Sequence, residues 1–345
     1  MFNPTEIIFA ATTACNLHCP HCFVNRLNIK LSADDAVKFL QSAVAFQKTA
    51  PECVGKIEKV GFSGGEPFLY LDFMIEVTKA AVQMDLMFDQ IMTNGDWWKD
   101  EKDLRENLQK LYDAGYDGKI GLSWDIFHGQ SKARILTFIK IAQEIFGDDS
   151  VNIQTVIPYD DEAENIRKPA KNATEGDHKT ETGNAKNATE KACLAESSNP
   201  QKPQNIAKEI QADLQELEAE MPVYYLPQTF PCNDKRAWQS RKWFKEDYCE
   251  GPGQILYVHP TGDIAPCCGF ANENPELFIG NIKDDLSTVL KNAETNPMIK
   301  ICYEKGLSHH KKFVQKALKK QGKKFLGKCG DICSFCDFVC KEKLF

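Results

Sequence analysis

Three cysteines near the start of the chain carry the clearest chemistry. In Ala14-Cys15-Asn16-Leu17-His18-Cys19-Pro20-His21-Cys22-Phe23 they stand at the spacing C-x-x-x-C-x-x-C, just after the apolar run Ile7-Ile8-Phe9-Ala10-Ala11. An apolar strand that delivers a loop of thiols reads as a metal site. Thiolates are soft ligands that suit iron–sulfur clusters or zinc. Three of them leave a tetrahedral or cubane site one ligand short, and the missing position is where chemistry could occur. A structural zinc knuckle is the competing reading, but zinc sites usually bring a fourth Cys or His at matching spacing. Here only His18 and His21 offer one.

Cysteines return near the far end. From Cys249 to Cys268 the sequence reads as a hairpin: an apolar strand, the turn Pro260-Thr261-Gly262-Asp263, and a second strand that delivers Cys267 and Cys268. A helix over Thr288 to Ala293 and a Lys-rich helix from Lys311 to Phe325 then lead to Cys329, Cys333, Cys336 and Cys340. The 14 cysteines, clustered at both ends in short spacings, argue for reduced, metal-ligating thiols rather than a disulfide framework. Cys53 and Cys302 read as buried small residues, and Cys193 as incidental.

These groups need elements to position them. Ser32-Ala33-Asp34-Asp35 has the form of a helix start, with Ser32 as cap, and Val37, Leu40, Val44 and Ala45 follow at helical spacing. Ile57 to Phe62 predicts the second strand, closed by Ser63-Gly64-Gly65-Glu66-Pro67. The alternation continues with a helix near Leu71 to Met84, a strand Phe88 to Thr93, a helix Asp103 to Asp113, a strand Lys119 to Trp124, a helix Ser131 to Phe146 and a strand Val151 to Ile157. A repeating βα pattern means parallel strands with helical crossovers, and ligands gather at the carboxyl ends of such strands. Cys15 to Cys22, Gly64 to Pro67, Thr93-Asn94-Gly95 and Ser123 to His128 all fall there. Composition changes at about Asp160, where Ala-Lys-Asn-Ala-Thr-Glu occurs twice in a stretch poor in apolar residues. Residues 160 to 205 therefore read as a flexible insertion. A helix over Ile206 to Met221 and a sixth strand over Pro222 to Leu226 complete the series.

The cluster loop resembles that of the radical S-adenosylmethionine (SAM) superfamily, in which an aromatic ring tends to precede the third Cys. His21 fills that place. The resemblance implies that Cys15, Cys19 and Cys22 hold a 4Fe-4S cluster whose fourth iron is chelated by SAM, and that one electron cleaves SAM to a 5'-deoxyadenosyl radical. Gly64-Gly65-Glu66-Pro67 resembles the family's motif for the methionine amino group. Two glycines allow close backbone approach, and Glu66 can accept from an ammonium. Ser123 and Asp125 match polar residues that contact ribose or the methionyl carboxylate in relatives, or else Asp125 and His128 satisfy each other. Val156 sits where relatives place an apolar side chain against adenine, or is plain core. Cys249, Gly262, Cys267 and the distal pair Cys333 and Cys336 resemble the twitch or SPASM extensions that hold auxiliary iron–sulfur clusters. Cys329 and Cys340 are alternates or ligands of a second cluster, and a zinc ribbon is the competing reading. The terminal spacing departs from the usual SPASM order.

The fold class expected is α/β: a partial (βα)6 TIM-like barrel over residues 1–159 and 206–231, then a cysteine-rich iron–sulfur cluster domain over residues 232–345. Enzymes with that extension often modify peptides, so the resemblance implies a precursor-peptide substrate and a flavodoxin- or ferredoxin-type one-electron donor. Cys268, beside a ligand, is either core or a thiol hydrogen donor. The donor role would make the reaction an L-to-D epimerisation, with thioether or carbon–carbon crosslinking, SPASM-type oxidation of a protein or small molecule, and a non-catalytic metal-binding module as alternatives.

At 345 residues the chain suits two domains or one enlarged α/β domain. Hydrophobic content of 42% and charged content of 26% are those of an ordinary soluble protein. No basic segment with an apolar signal core opens the chain, and no run of about 18 apolar residues occurs, so a cytoplasmic location without membrane contact is expected. The net charge of -7 disfavours nucleic acid in general. It conceals a basic end, because nine Lys and no acid lie between Lys305 and Lys328. That face is either solvated or attracts an acidic partner such as a leader peptide.

Overall fold

Strand β1 (Glu6–Ala10) alternates its side chains between two environments. Ile7 and Phe9 are fully buried in the main core, beneath the helices. Ala10 joins Ile255, Tyr257 and Cys268 on the opposite face, with Ile8 packed against them. The computed structural model describes residues 2–49, 56–159, 210–245 without 211 and 219, and 254–345. The insertion expected at 160–205 and Cys53, Cys193 and Cys249 lie outside the described residues.

From β1 the chain passes through α1 (Ala33–Thr49) to β2 (Lys59–Ser63), α2 (Leu71–Gln83), β3 (Met87–Thr93), α3 (Glu101–Asp113), β4 (Lys119–Ser123), α4 (Lys132–Phe146), β5 (Val151–Ile157) and β6 (Val223–Pro227). The six strands pair in sequential order, all parallel. This is a partial (βα)6 barrel. Parallel strands bury both faces, as six of the seven residues of β5 show, polar Asn152, Gln154 and Thr155 among them.

Helix starts follow the caps in the sequence: Ser32 Oγ accepts from Asp35 N–H at 3.2 Å, and the Ser131 hydroxyl accepts from Arg134 N–H. The buried face of α1 differs from the one expected. Ala36, Phe39, Leu40 and Ala43 are buried, Val37 is half-buried and Ala45 is exposed. Seating the Phe39 ring turns the helix by about one residue from the stripe of smaller side chains.

The hairpin near Ile255 joins the same sheet. Strand β7 (Ile255–Val258) pairs in parallel with β1, and β8 (Asp263–Ala265) and β9 (Gly280–Asn281) continue antiparallel. A second apolar cluster, including Trp238, Phe244, Val314, Leu318, Phe335 and Val339, holds the C-terminal helices together. The Lys-rich helix spans Leu307–Lys320 rather than Lys311 to Phe325. It ends because Lys323 N–H turns back to Leu318 O at 2.8 Å while Gly322 takes φ 71°. Phe325 then packs against Trp238 and Trp243 from outside the helix. Cys333, Cys336 and Cys340 lie on the helix Ile332–Lys341, whose cap Asp331 accepts from Ser334 N–H at 2.9 Å.

At the amino end of β1, burial, reinforced by Asp89, pushes the Glu6 carboxyl up to about 8, and Lys59 opposes this only in part. The folded state thus favours the neutral acid. The stability this contributes is fully present below the ordinary value of 4.5 and is lost as the pH rises through about 8. Thermal melts between these limits should show a falling midpoint, and Glu6→Gln should flatten the slope. An unchanged slope would place the titration elsewhere.

Candidate functional site

The loop that follows β1 is bonded to the turn that follows β2. Gly65 N–H donates to Thr12 O at 2.7 Å, and Glu66 N–H donates to Ala14 O at 2.8 Å. A Cβ on Gly64 would stand 2.6 Å from Thr12 O, and one on Gly65 would stand 2.3 Å from Ala14 O. Gly64 also takes φ 136°. Only glycine permits this approach.

The fully buried Glu66 faces away from the loop. Its Oε1 accepts from Phe68 N–H (3.1 Å) and the Thr93 hydroxyl (2.8 Å), and its Oε2 accepts from Asn94 N–H (2.8 Å). Burial pushes this carboxyl up to about 7 in spite of the three donors. Within the motif, Gly64 and Gly65 line the cavity while Glu66 and Pro67 are buried behind them. Glu66 therefore fastens the β2 turn to the end of β3. Asn94 completes this link, donating from Nδ2 to Asn16 Oδ1 at 2.9 Å and towards Cys15 Sγ at 3.7 Å.

The end of β4 reaches the other side of the loop. Ser123 lines the cavity. Asp125 Oδ1 is 2.8 Å from His128 Nδ1, and its Oδ2 accepts from Val156 N–H at 3.2 Å. Burial alone would lower His128, but Asp125 and Cys19 raise it, so the buried pair is held as imidazolium and carboxylate. Val156 meets Asp125 through its backbone and is itself buried. One donor atom each from Cys19, His21 and His128 lie within 4.8 Å of one another. His128, rather than His18, is thus the second histidine at the loop.

Cys15, Cys19 and Cys22 line one cavity together with Cys268. The cavity is closed on the C-terminal side by Tyr257 and Phe270, and Phe270 stacks on Phe23 of the loop at 4.3 Å. Two polar atoms among its lining residues, His21 Nδ1 and Arg26 Nε, are buried without a partner. Arg26 therefore offers a donor suited to a carboxylate or phosphate. Arg26 does not stand out in the sequence, because it is identified only by where the loop folds back, and Asn94 is marked there only by its place at the end of a strand. Burial pushes the Cys15 thiol up to about 11, so ionising it requires positive charge from a bound metal group. Three thiols around a cavity with unsatisfied polar walls fit a cluster and a charged cofactor.

The C-terminal thiols gather next door. Cys267 precedes Cys268 and is buried, and its carbonyl accepts from Asn272 Nδ2 at 2.9 Å. A Cβ on Gly269 would meet Cys333 Sγ at 3.0 Å. Cys336 and Cys340 are buried on the same helix, with Cys302 Sγ 3.8 Å from Cys336 Sγ. Cys329 Sγ instead donates to Asp331 O at 3.1 Å. None of the described cysteines forms a disulfide.

Residues 7–133 match the family described as a 4Fe-4S single cluster domain, and residues 249–334 match SPASM, an iron–sulfur cluster-binding domain. No curated protein matches the sequence. The structure of Streptococcus suis SuiB bound to S-adenosylmethionine aligns over 96% of this chain and 77% of that one, at 14% identity and a TM-score of 0.44. A structure of PhdJ bound to a substrate intermediate aligns over 48% and 46%, at 13% identity and a TM-score of 0.26. No helix among the described residues is long and apolar enough to cross a membrane. The chain thus carries a radical SAM-type 4Fe-4S domain and a C-terminal SPASM domain, and its cofactors are S-adenosylmethionine and 4Fe-4S clusters, one of them auxiliary.

Proposed function

We propose that the enzyme modifies a ribosomally made precursor peptide, and that the reaction is L-to-D epimerisation with Cys268 as hydrogen donor. One observation carries this reading: Cys268 lines the same cavity as Cys15, Cys19 and Cys22, while its neighbour Cys267 belongs with the auxiliary thiols. Cys15, Cys19 and Cys22 would hold the first cluster. Gly64 and Gly65 would present backbone to the methionyl group, and Ser123 and Asp125 would serve the polar parts of the cofactor. Glu66 and Pro67 would keep that turn in place, and Val156 would support Asp125 from behind.

When bound, cluster and cofactor supply a 5'-deoxyadenosyl radical that takes the α-hydrogen of a residue. Cys268 then breaks its S–H bond and forms a new C–H bond on the opposite face of the planar carbon, which inverts the centre. The resulting thiyl radical needs one electron and one proton to return to thiol. A flavodoxin- or ferredoxin-type donor would supply the electron and solvent the proton. Cys267, Cys333, Cys336 and, outside the described residues, Cys249 would hold the auxiliary cluster, with Cys329 and Cys340 as alternates or ligands of a second. Cys268 must keep its proton, hence stay off the metal.

In this reading the barrel comprises residues 1–159 and 206–231, and the cluster-binding domain residues 232–345. Oxygen-sensitive thiol ligands suit a reducing cytoplasm. Support for an acidic partner comes from a cavity of about 520 Å³ at the C-terminal end, walled by Lys300, Lys305, His309, His310, Phe313 and Phe345.

Incubation with candidate precursor peptides in heavy water should yield a product of ordinary connectivity carrying one deuterium at the inverted centre. Cys268→Ala should still cleave SAM but lose the D-residue product. Normal product formation by that variant, or a product short of two hydrogens, replaces epimerisation by crosslinking, in which the auxiliary cluster takes electrons.

A further inference from the structure

Among the thiols near the auxiliary site, Cys302 is one that sequence spacing does not assign to any metal. It is buried, and its Sγ touches the Cys336 Sγ at 3.8 Å. Cys336 in turn is hydrogen-bonded to Cys340 and lies in the field of Cys267. The residue belongs to an irregular segment: Lys300–Lys305 is a π-helix, entered from the helical turn Pro297–Ile299 and left through Gly306 at φ 80°. A π-turn adds a residue to the helical repeat and so re-aims the side chains it carries. Such turns cost hydrogen-bond quality and are found mostly at functional sites. Here the re-aimed side chain is a cysteine, and it meets the helix-borne thiols.

Cys329 has the opposite disposition. It precedes the helix Ile332–Lys341, and its Sγ is engaged by the carbonyl of Asp331 in its own loop at 3.1 Å. Cys333, Cys336 and Cys340 are spaced three and four residues apart, which puts them on one helix face. Cys302 stands across from that face.

We infer that Cys302 is a ligand of the auxiliary iron–sulfur cluster, alongside Cys267, Cys336 and one further thiol, and that Cys329 is a structural thiol. The inference rests on the SPASM end of the chain holding a cluster. Three buried thiols from three separate segments, the β8 loop, the π-turn and the last helix, give a soft donor set of the kind iron–sulfur clusters take. Cluster assembly would then fasten the π-turn to the last helix.

The test is iron and acid-labile sulfide per chain in the anaerobically reconstituted full-length protein, for the parent, Cys302→Ala, Cys302→Ser and Cys329→Ala. Cys302→Ala should lose about four irons per chain while keeping the cluster signal that responds to added SAM, which shows that the barrel remains folded. Cys329→Ala should keep the parent's iron. Cys302→Ser, close in size and able to ligate through oxygen, should retain a cluster with an altered electron paramagnetic resonance signal. This variant decides the matter if alanine unfolds the domain. Parental iron in Cys302→Ala, a parental signal in Cys302→Ser, or equal loss in Cys329→Ala overturns the inference. A parent that holds only the SAM-responsive cluster overturns both it and the reading on which it rests.

Discussion

Gly65→Ala is expected to reduce SAM cleavage by about 100-fold, the cost of misplacing reacting groups by about an ångström. The new Cβ would stand 2.3 Å from Ala14 O, 2.8 Å from Ala14 C and 2.9 Å from Thr13 O. All three are backbone atoms of the segment that enters the cluster loop, so no side chain can rotate away. The loop must shift, and Cys15 shifts with it. Gly129→Ala is the control, since Gly129 takes φ 72°, as Gly64 takes a positive φ in the motif, but has nothing within 4 Å of its built Cβ. That variant should cost about 1–2 kcal/mol of backbone strain and leave SAM cleavage near the parent's. Iron content and 5'-deoxyadenosine yield measure both. Parental activity in Gly65→Ala would mean that the turn and the loop move independently.

The second large effect is expected at Asp337, on the helix that bears Cys333, Cys336 and Cys340. Its Oδ2 accepts from Cys232 N–H at 2.9 Å, and its Oδ1 accepts from Asn274 Nδ2 at 2.9 Å; Lys341 pairs with the same carboxylate. Both the carboxylate and Asn274 are buried. Asp337→Ala would strand two buried donors, and we expect about 3 kcal/mol or more of lost stability, at one to three per stranded group. Burial alone would raise this carboxyl, but Asn274, the Cys232 N–H and Lys341 together hold it below 3.8. Its contribution is therefore fully present above 3.8 and is lost as the pH falls through the lowered folded value. Asp337→Asn should remove that acid limb from the melting curve, and Asp337→Ala should release the auxiliary iron before the barrel's. Coincident loss of both clusters would show that the two ends unfold as one unit.

The barrel was legible because its signals are local. Parallel strands appear as apolar runs, Ser32 and Ser131 mark helix starts, and the strand boundaries expected from the sequence fall within two residues of those observed. The site was legible where ligands share a short loop, as Cys15, Cys19 and Cys22 do. It became illegible where contacts are long-range. Glu66 was expected to face an ammonium, yet its acceptors are taken by Thr93, Asn94 and Phe68, and spacing cannot tell which side of a turn a carboxylate chooses. Cys302 reads as a core residue because nothing local announces a π-turn. The Lys-rich helix stops at Lys320, since polar periodicity does not outweigh the reversal at Gly322.

The placement of β1 between β2 and β7 has a consequence in time. As the chain leaves the ribosome, β1 emerges ahead of β2 and can pair with it soon after, but its other edge must wait until Ile255 to Val258 have been made. Until then that edge offers unpaired backbone groups to any neighbouring chain. Pairings between distant segments also form slowly. Tyr257 and Cys268, which enclose the cavity, arrive with that late strand and the loop beyond it. The nascent protein therefore exposes its first three thiols long before it can shelter them, and its yield should depend on chaperones and on limiting oxygen during synthesis as much as on the stability of the finished fold.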